Sequence, residues 1–196
     1  MIQLVLLRHG PTEWNAARRL QGRSDIPLSS LGRQAVRRKV LPSGFREFRW
    51  LTSPLSRACE TASLLGVTAE IEPALIEMDF GSWEGRTLAQ VRAENPEAVA
   101  LNEALGLDFR PAEGETPREI QARLEELGTR LLADGRDTAA VSHKGVIRAA
   151  LALATGWGMT GKPPVRLDWG AAHLFLLDAT GHWSLKRANI PLEPSE

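Results

Sequence analysis

Apolar runs of strand length alternate along the chain with longer amphipathic stretches. Residues 2–7 are an almost unbroken apolar run, typical of a strand buried on both faces. Thr116, Pro117 and Glu119 are the residue types that cap the start of a helix. The pattern predicts strands at 2–7, 48–52, 67–72 and 139–142, and helices at 29–41, 53–65, 116–132 and 145–155. We therefore expect an α/β fold: a three-layer α/β/α sandwich around a mostly parallel sheet.

Two regions depart from this alternation. Residues 81–115 are rich in Gly, Pro and charged side chains around one short predicted helix at Leu88–Glu94. Ala172–Leu177 and residues 183–187 predict a terminal hairpin that turns at Thr180-Gly181. We find no internal repeat or linker. The sequence thus predicts a single domain over residues 1–196, with a helical insertion at about 81–115.

Composition narrows the class of protein. Of the 196 residues, 43% are hydrophobic, which is enough for a buried core. No run approaches the roughly 18 consecutive apolar residues that a membrane helix needs, so we expect no membrane partner. Cys59 is the only cysteine, which excludes an intramolecular disulfide framework. A cytoplasmic location follows as the default expectation.

Charge is unevenly distributed although the net charge is zero. Residues 1–57 carry eleven Arg/Lys and three Asp/Glu, a net +8, and residues 58–196 carry thirteen and twenty-one, a net −8. A basic segment in a neutral protein indicates an anionic ligand. The six Trp and five Phe do not interleave with the basic residues, so we do not expect nucleic acid.

Cationic side chains follow three of the predicted strands. Arg8 and His9 follow the first strand, Arg57 lies shortly after the second, and His143 follows the strand at 139–142. Ligands of open parallel sheets bind at the carboxyl ends of strands, beside helix N-termini that favour anions. A single cation at a strand end often only makes a local hydrogen bond. Three of them together predict a phosphate site.

Other phosphate chemistries do not fit the sequence. A cysteine phosphatase needs Arg six positions after its cysteine, and Leu65 stands at that distance from Cys59. No GxxxxGK[ST] loop is present. The four histidines lack close metal-ligand spacing, and no carboxylate cluster suggests a magnesium site. We therefore expect neither a metal nor a cofactor.

Four segments make a family resemblance specific. LLRHGPTEWNAARRLQGRSDIPLSSLGRQA, LTSPLSRACETA, EMDFGSWEG and VSHKGVIRAAL resemble, in order, the motif blocks of the histidine phosphatase superfamily, the phosphoglycerate mutase-like proteins. The resemblance implies a phosphoglycerate mutase-like fold. It also implies residue roles: His9 as the nucleophile that becomes phosphorylated, Arg8, Arg57 and His143 as ligands of the phosphoryl oxygens, Glu77 as the proton donor, and Asn15, Gln21 and Gly22 as lining of the substrate side.

The resemblance implies a metal-independent hydrolase of phosphomonoesters, acting on a small phosphorylated metabolite. Pro11 stands where mutases usually carry an acid, and the chain is short between Glu77 and His143, which favours a phosphatase. A cofactor-dependent phosphoglycerate mutase remains one alternative, and a low-turnover module that binds phosphate or phosphoproteins is another. Lys144 stands where small or acidic residues are commoner, so it either contacts substrate or faces solvent. The identity of the substrate and the oligomeric state stay open.

Overall fold

A six-stranded sheet forms the centre of the fold in the computed structural model, which describes residues 1–194. The strands, in chain order, are β1 (Ile2–Arg8), β2 (Lys39–Val40), β3 (Arg49–Thr52), β4 (Glu70–Ile71), β5 (Thr138–Ser142), β6 (Ala172–Leu177), β7 (Trp183–Ile190) and β8 (Glu193–Pro194). The α-helices are α1 (Glu13–Ala16), α2 (Ser30–Arg37), α3 (Ser56–Leu64), α4 (Leu88–Glu94), α5 (Pro96–Glu103), α6 (Pro117–Asp134) and α7 (Lys144–Thr155).

The strand order in the sheet is β4-β3-β5-β1-β6-β7. The four strands from β4 to β1 are parallel, whereas β6 and β7 add an antiparallel hairpin beyond β1. The expected α/β class with a mostly parallel sheet is confirmed. The short strands β2 and β8 pair with each other in a separate two-stranded sheet.

Alternate residues of β1 point to opposite faces of the sheet and into two different cores. Leu4 and Leu6 pack in a cluster with buried residues of α6 and α7, and Val5 and Leu7 pack in another with residues of α2 and α3. Side chains of a strand alternate between faces, so a strand that is apolar at every position requires cover on both sides. These two cores give the fold its three layers.

The carboxyl ends of three parallel strands lie at the same level. Arg8 of β1 is in register with Ser142 of β5, and Thr52 of β3 is in register with Val141. The ladder continues by one residue on each side of β5, because the N–H of His9 donates to the Ser142 carbonyl at 3.0 Å and that of Ser53 donates to the Val141 carbonyl at 3.0 Å. The residues that follow these strands therefore emerge side by side.

Residues 81–115 fold over this edge as a small helical layer. They contain α4, α5 and two 3₁₀ turns, at Gly81–Trp83 and Gly106–Asp108. Trp83, Val91 and Val99 form a core of their own. Helix α5 was not predicted, although Asn95 caps it by accepting from the Ala98 N–H and Pro96 is its first residue. That is the kind of signal that located α6, but the apolar residues of α5 show no helical period.

Several predicted boundaries are wrong. The helix expected at 29–41 ends at Arg37, because Lys39–Val40 pairs with Glu193–Pro194. The helix expected from residue 53 begins at Ser56, and the strand expected at 67–72 is only Glu70–Ile71. Strand β7, which was expected to end at residue 187, extends to Ile190. Pairing partners that are distant in sequence set these ends, and local propensity does not encode them.

Helix α6 has strong signals at both ends. Thr116 Oγ1 accepts from the Glu119 N–H at 3.1 Å, and the Glu119 carboxylate accepts from the Thr116 N–H at 2.7 Å. Gly135 ends the helix in the left-handed conformation, at φ 75°. Although α6 has 18 residues, neither it nor any other helix within residues 1–194 is long and apolar enough to cross a membrane.

The Thr116 cap leads to a stability prediction. Thr116→Ala removes the acceptor of the Glu119 N–H, so we expect the free energy of unfolding to fall by about 1 kcal/mol. Thr116→Ser is the matched control, since it loses the same methyl group and keeps the hydroxyl. Urea denaturation measures both variants. Equal losses in the two would show that packing of the methyl group, and not the cap, is responsible.

Candidate active site

Two histidines from adjacent strands meet at the carboxyl edge of the sheet. His9 follows β1 and His143 follows β5, and their ring centroids are 5.1 Å apart. His9 is 6% exposed and His143 is fully buried. The pairing of β1 with β5 brings the two rings together across 134 positions of sequence.

The ring of His9 is held in one tautomer. Its Nδ1 lies 2.7 Å from the Gly10 carbonyl oxygen. A carbonyl oxygen only accepts, so Nδ1 carries the proton and Nε2 keeps its lone pair. Burial, and then the positive charges of Arg8 and Arg57, lower the pKa of His9 to about 3. The ring is therefore neutral near pH 7, the form that can act as a nucleophile.

Arg57 lies in the first turn of α3 and is fully buried. Its terminal nitrogens donate to the carbonyl oxygens of Ser24 at 2.8 Å and Gly22 at 2.7 Å. Its Nε has no hydrogen-bond partner among the described residues, and neither has the Nε of Arg8. Burial lowers the pKa of both guanidiniums, yet arginine stays charged in proteins. Two fixed cations with free N–H groups thus flank His9.

His143 is held from behind by a serine hydroxyl. Its Nε2 lies 2.7 Å from Ser53 Oγ, and its Nδ1 has no partner within residues 1–194. Burial, followed by neighbouring positive charge, puts the pKa of His143 well below its usual range. If the serine hydroxyl donates to Nε2, the proton of the neutral ring lies on Nδ1. That N–H is then free to donate to a ligand oxygen.

Glu77 places a carboxyl group against the start of α7. It is 8% exposed, and its Oε1 accepts from the N–H of Met78 at 2.9 Å and of Gly145 at 3.1 Å. A Cβ at position 145 would lie 2.4 Å from this oxygen, so a side chain there would displace the Glu77 carboxyl from its present position. Burial raises the pKa of Glu77, although these hydrogen bonds and the charges of Arg57 and Arg8 oppose the shift. The site therefore favours a protonated carboxyl more than water does.

The neighbouring carboxylates have other partners. Asp79 accepts from the Gly81 N–H at 2.8 Å and pairs with Arg23 at 3.5 Å. Glu84 accepts from the backbone N–H groups of Arg23 and Ser24. Glu72 pairs with Arg130. Glu77 lines a cavity at this edge of the sheet, whereas none of these three carboxylates does.

The side-chain amides of Asn15 and Gln21 line the same cavity as Glu77. Asn15 Oδ1 accepts from the Thr12 N–H at 3.0 Å, and Gln21 Oε1 accepts from the Thr12 hydroxyl at 2.9 Å. With each oxygen occupied, the NH₂ group remains to donate to an anion. Gly22 follows at φ +52°, and a Cβ there would lie 1.8 Å from Glu84 Oε1, so a side chain at this position would strain the backbone and displace the Glu84 carboxylate.

These groups surround one cavity of about 680 Å³. Seven of the eight site residues expected from sequence line it, whereas His143 is buried behind the surface: the lining positions are Arg8, His9, Asn15, Gln21, Gly22, Arg57 and Glu77. Phe80, Trp83, Leu88 and Phe109 supply apolar walls. Within residues 1–194, no group of three or more His, Cys, Asp or Glu is arranged to hold a metal ion.

Sequence reasoning missed three groups that support the site. Ser53 contacts His143, and Gly145 supplies the N–H that holds Glu77. Arg123 of α6 donates to the carbonyl oxygens of Ala74 and Ile76, directly before Glu77, and pairs with Glu115. The motif blocks contained Ser53 and Gly145. Arg123 lies on a predicted helix with nothing in its spacing to mark it.

The protonation state of His9 can be measured. With a pKa of about 3, His9 should stay neutral at every pH from about 4 to 8 at which the chain is folded. Nitrogen-15 NMR of labelled histidine should show this, with the signal assigned by its loss in His9→Gln. In the urea-unfolded chain histidine titrates near pH 6.5, so below that pH the unfolded state binds more protons than the folded state. The contribution of His9 to the free energy of unfolding is therefore lost as pH falls from about 6.5 towards 3. A folded-state midpoint near 6.5 would contradict the geometry.

The chain is similar in sequence to known proteins. The family model of the histidine phosphatase superfamily (branch 1) matches residues 4–191. A glucosyl-3-phosphoglycerate phosphatase of Mycobacterium tuberculosis is 31% identical over 198 residues, covering 93% of this chain and 86% of that protein. A probable phosphoglycerate mutase of Proteus mirabilis is 37% identical over 133 residues, which are 64% of this chain and only 60% of that protein.

Solved structures have the same fold. The mycobacterial glucosyl-3-phosphoglycerate phosphatase in complex with VO₃ aligns with a TM-score of 0.78 at 28% identity, covering 97% of this chain and all of that one. A putative α-ribazole-5′-P phosphatase from Escherichia coli aligns with a TM-score of 0.80 at 26% identity, covering 100% of this chain and 99% of that one. Since the family model spans nearly the whole chain, the protein belongs to branch 1 of the histidine phosphatase superfamily.

Proposed function

We propose that this protein hydrolyses small phosphomonoesters through a phosphohistidine formed on His9. The observation that carries the proposal is a neutral imidazole, fixed with its Nε2 lone pair free, between two guanidiniums in one cavity. Phosphoryl transfer requires mainly in-line positioning and stabilisation of charge on the phosphoryl oxygens. Arg8 and Arg57 supply that stabilisation with fixed charges, so the proposed chemistry requires no metal ion.

The reaction has two steps. In the first, His9 Nε2 attacks phosphorus, the bond between phosphorus and the ester oxygen breaks, and the departing oxygen takes the proton of Glu77. In the second, water attacks the phosphorus of the phosphohistidine and gives a proton to the Glu77 carboxylate. The P–N bond breaks in this step. Inorganic phosphate leaves, and His9 and Glu77 return to their starting protonation states. The raised pKa of Glu77 suits a group that first donates a proton and then accepts one.

Hydrolysis fits the comparisons better than isomerisation. The phosphatase relative aligns over 93% of this chain, whereas the relative named as a probable mutase aligns over 64%. Pro11, at the position where mutases usually carry an acid, agrees with this. We also propose a cytoplasmic protein whose partner is a small phosphorylated metabolite, not nucleic acid or membrane. The apolar walls and limited volume of the cavity support a small substrate.

The intermediate should be detectable on one residue. Brief incubation with ³²P-labelled substrate in EDTA, followed by an alkaline quench, should leave an acid-labile adduct that mass spectrometry locates on His9. His9→Gln should abolish both the adduct and steady-state turnover, since glutamine offers no nucleophilic nitrogen. Rapid loss of the label to water identifies a phosphatase.

Three results would contradict this assignment. Undiminished adduct in His9→Gln would place the nucleophile elsewhere. Return of the label to the organic substrate in preference to water would identify a mutase. Phosphate binding without turnover would identify a binding module. Lys186→Met, a charge removal at an exposed position on β7, should leave adduct formation unchanged.

The role of Glu77 depends on the leaving group. An alkoxide is strongly basic and needs a proton, whereas p-nitrophenolate leaves with little help. Glu77→Gln should therefore slow phosphorylation by an alkyl phosphate roughly 10²–10⁴-fold and slow phosphorylation by p-nitrophenyl phosphate far less. Single-turnover measurements isolate this step from hydrolysis of the intermediate.

Glu84→Gln is the matched control. Glu84 lies in the same motif block but holds the backbone of residues 23 and 24, so its effect should not depend on the leaving group. If Glu77→Gln slows both substrates equally, Glu77 does not protonate the leaving oxygen.

A further inference from the structure

Two cations of the cavity lie outside the proposed reaction centre. Lys144 and Arg148 both line the cavity, and both belong to α7. They are separated by one helical turn, about 6 Å of rise. Neither takes part in an ion pair among residues 1–194. Like charges at this spacing repel each other on a helix, and a bound anion would offset that repulsion.

Aromatic rings orient both side chains without neutralising them. Lys144 Nζ lies 5.4 Å from the ring centroid of Trp169, and the guanidinium carbon of Arg148 lies 5.2 Å from that of Trp157. Both tryptophans belong to the connection between α7 and β6, residues 156–171. A cation over an aromatic face keeps its charge and its N–H donors. The Nε of Arg148 is buried and has no hydrogen-bond partner within residues 1–194.

Two other cations of the cavity wall, Arg92 and Arg19, have partners among the described residues. Arg92 forms a bidentate pair with Glu103, which also lines the cavity. Arg19 donates to the Gly85 carbonyl oxygen. Lys144 and Arg148 differ from Arg92 and Arg19, because no carboxylate or carbonyl oxygen of the described residues accepts from their side chains. Arg18 also lines the cavity without such a partner, but it lies in the segment that follows α1 and not on α7. Lys144 remains exposed at the cavity surface. Partial burial, and then the charges of Arg148 and Arg8, lower its pKa, which a bound anion would raise.

We propose that Lys144 and Arg148 bind a second anionic group of the substrate. Lys144 directly follows His143, so this second site lies beside the phosphoryl site and extends from it along α7. The substrate class is therefore a compact phosphomonoester with a carboxylate or a second phosphate a few bonds from the ester. This inference rests on the proposed function, since it assigns the remainder of the same substrate.

A set of three-carbon substrates tests the proposal. Propane-1,3-diol monophosphate, 3-phosphonooxypropanoate and propane-1,3-diol bisphosphate share one chain and differ only at the far end, which is a hydroxyl, a carboxylate or a phosphate. We expect kcat/KM to be higher for both anionic compounds than for the alcohol. The better of the two identifies the anion that the site takes.

Variants then connect this preference to the two side chains. Lys144→Met and Arg148→Met should each lower kcat/KM for the preferred anionic compound about tenfold to a hundredfold relative to the alcohol, the range for a hydrogen bond to a charged group. Lys144→Arg should restore most of the preference. Lys186→Met and Arg187→Met remove exposed charges from β7 and should leave the ratio unchanged.

Binding to the His9→Gln variant gives a readout that does not depend on turnover. Calorimetry should show tighter binding of the anionic compounds, and the additional Lys144→Met change should abolish the difference. Equal affinity for all three compounds overturns the second site, and so does a preference that survives Lys144→Met and Arg148→Met together. In either case, turnover of the alcohol leaves the proposed function intact. Absence of turnover with all three, together with a preference in binding, overturns the proposed function and leaves the second site standing.

Discussion

Parallel pairing of β5 with both β1 and β3 is the constraint on which the site depends. It brings the carboxyl ends of three strands to one level, so the residues that follow them face a common space. Three residues from segments far apart in sequence each directly follow the end of their strand: His9, Ser53 and His143. A shift of one residue in either pairing would point every side chain of the shifted strand to the other face and exchange the two cores. The cores on both sides of the sheet therefore fix the geometry of the proposed phosphate site.

Burial sets the charge of each group at this edge, and it acts differently on each type of side chain. It lowers the pKa of the histidines enough to make them neutral, and it raises the pKa of Glu77 towards the protonated acid. The guanidiniums of Arg8 and Arg57 resist the same effect because their ordinary pKa is so high. One desolvated location thus provides the proposed nucleophile, the proposed acid and two cations without any of them neutralising another.

Much of this arrangement is predictable from the chain because it is local or carried by a motif. The unbroken apolar run of β1 requires cover on both faces, and the cap of α6 is visible in Thr116–Glu119. The contribution of Arg123 is not, because it depends on where distant segments pack. Helix α5 has a local start signal in Asn95 and Pro96, but its apolar residues show no helical period that would predict it. Arg123 is one of several arginines on an amphipathic helix, and only the fold shows that it holds the carbonyls before Glu77. Likewise, the end of α2 depends on pairing with the far end of the chain.

The loop at residues 22–24 joins the phosphate site to the helical layer above it. Arg57 holds its carbonyl oxygens from below, and Glu84 holds its N–H groups from the side of the layer. Residues beyond this attachment, such as Leu88 and Phe109, contribute walls to the cavity but make none of these contacts. Selection can therefore remodel the walls at 88–109 to admit a differently shaped molecule while the reaction centre stays unchanged. In an enzyme built this way, changes in the helical layer alter which substrates bind, and the residues at the sheet edge keep the same reaction.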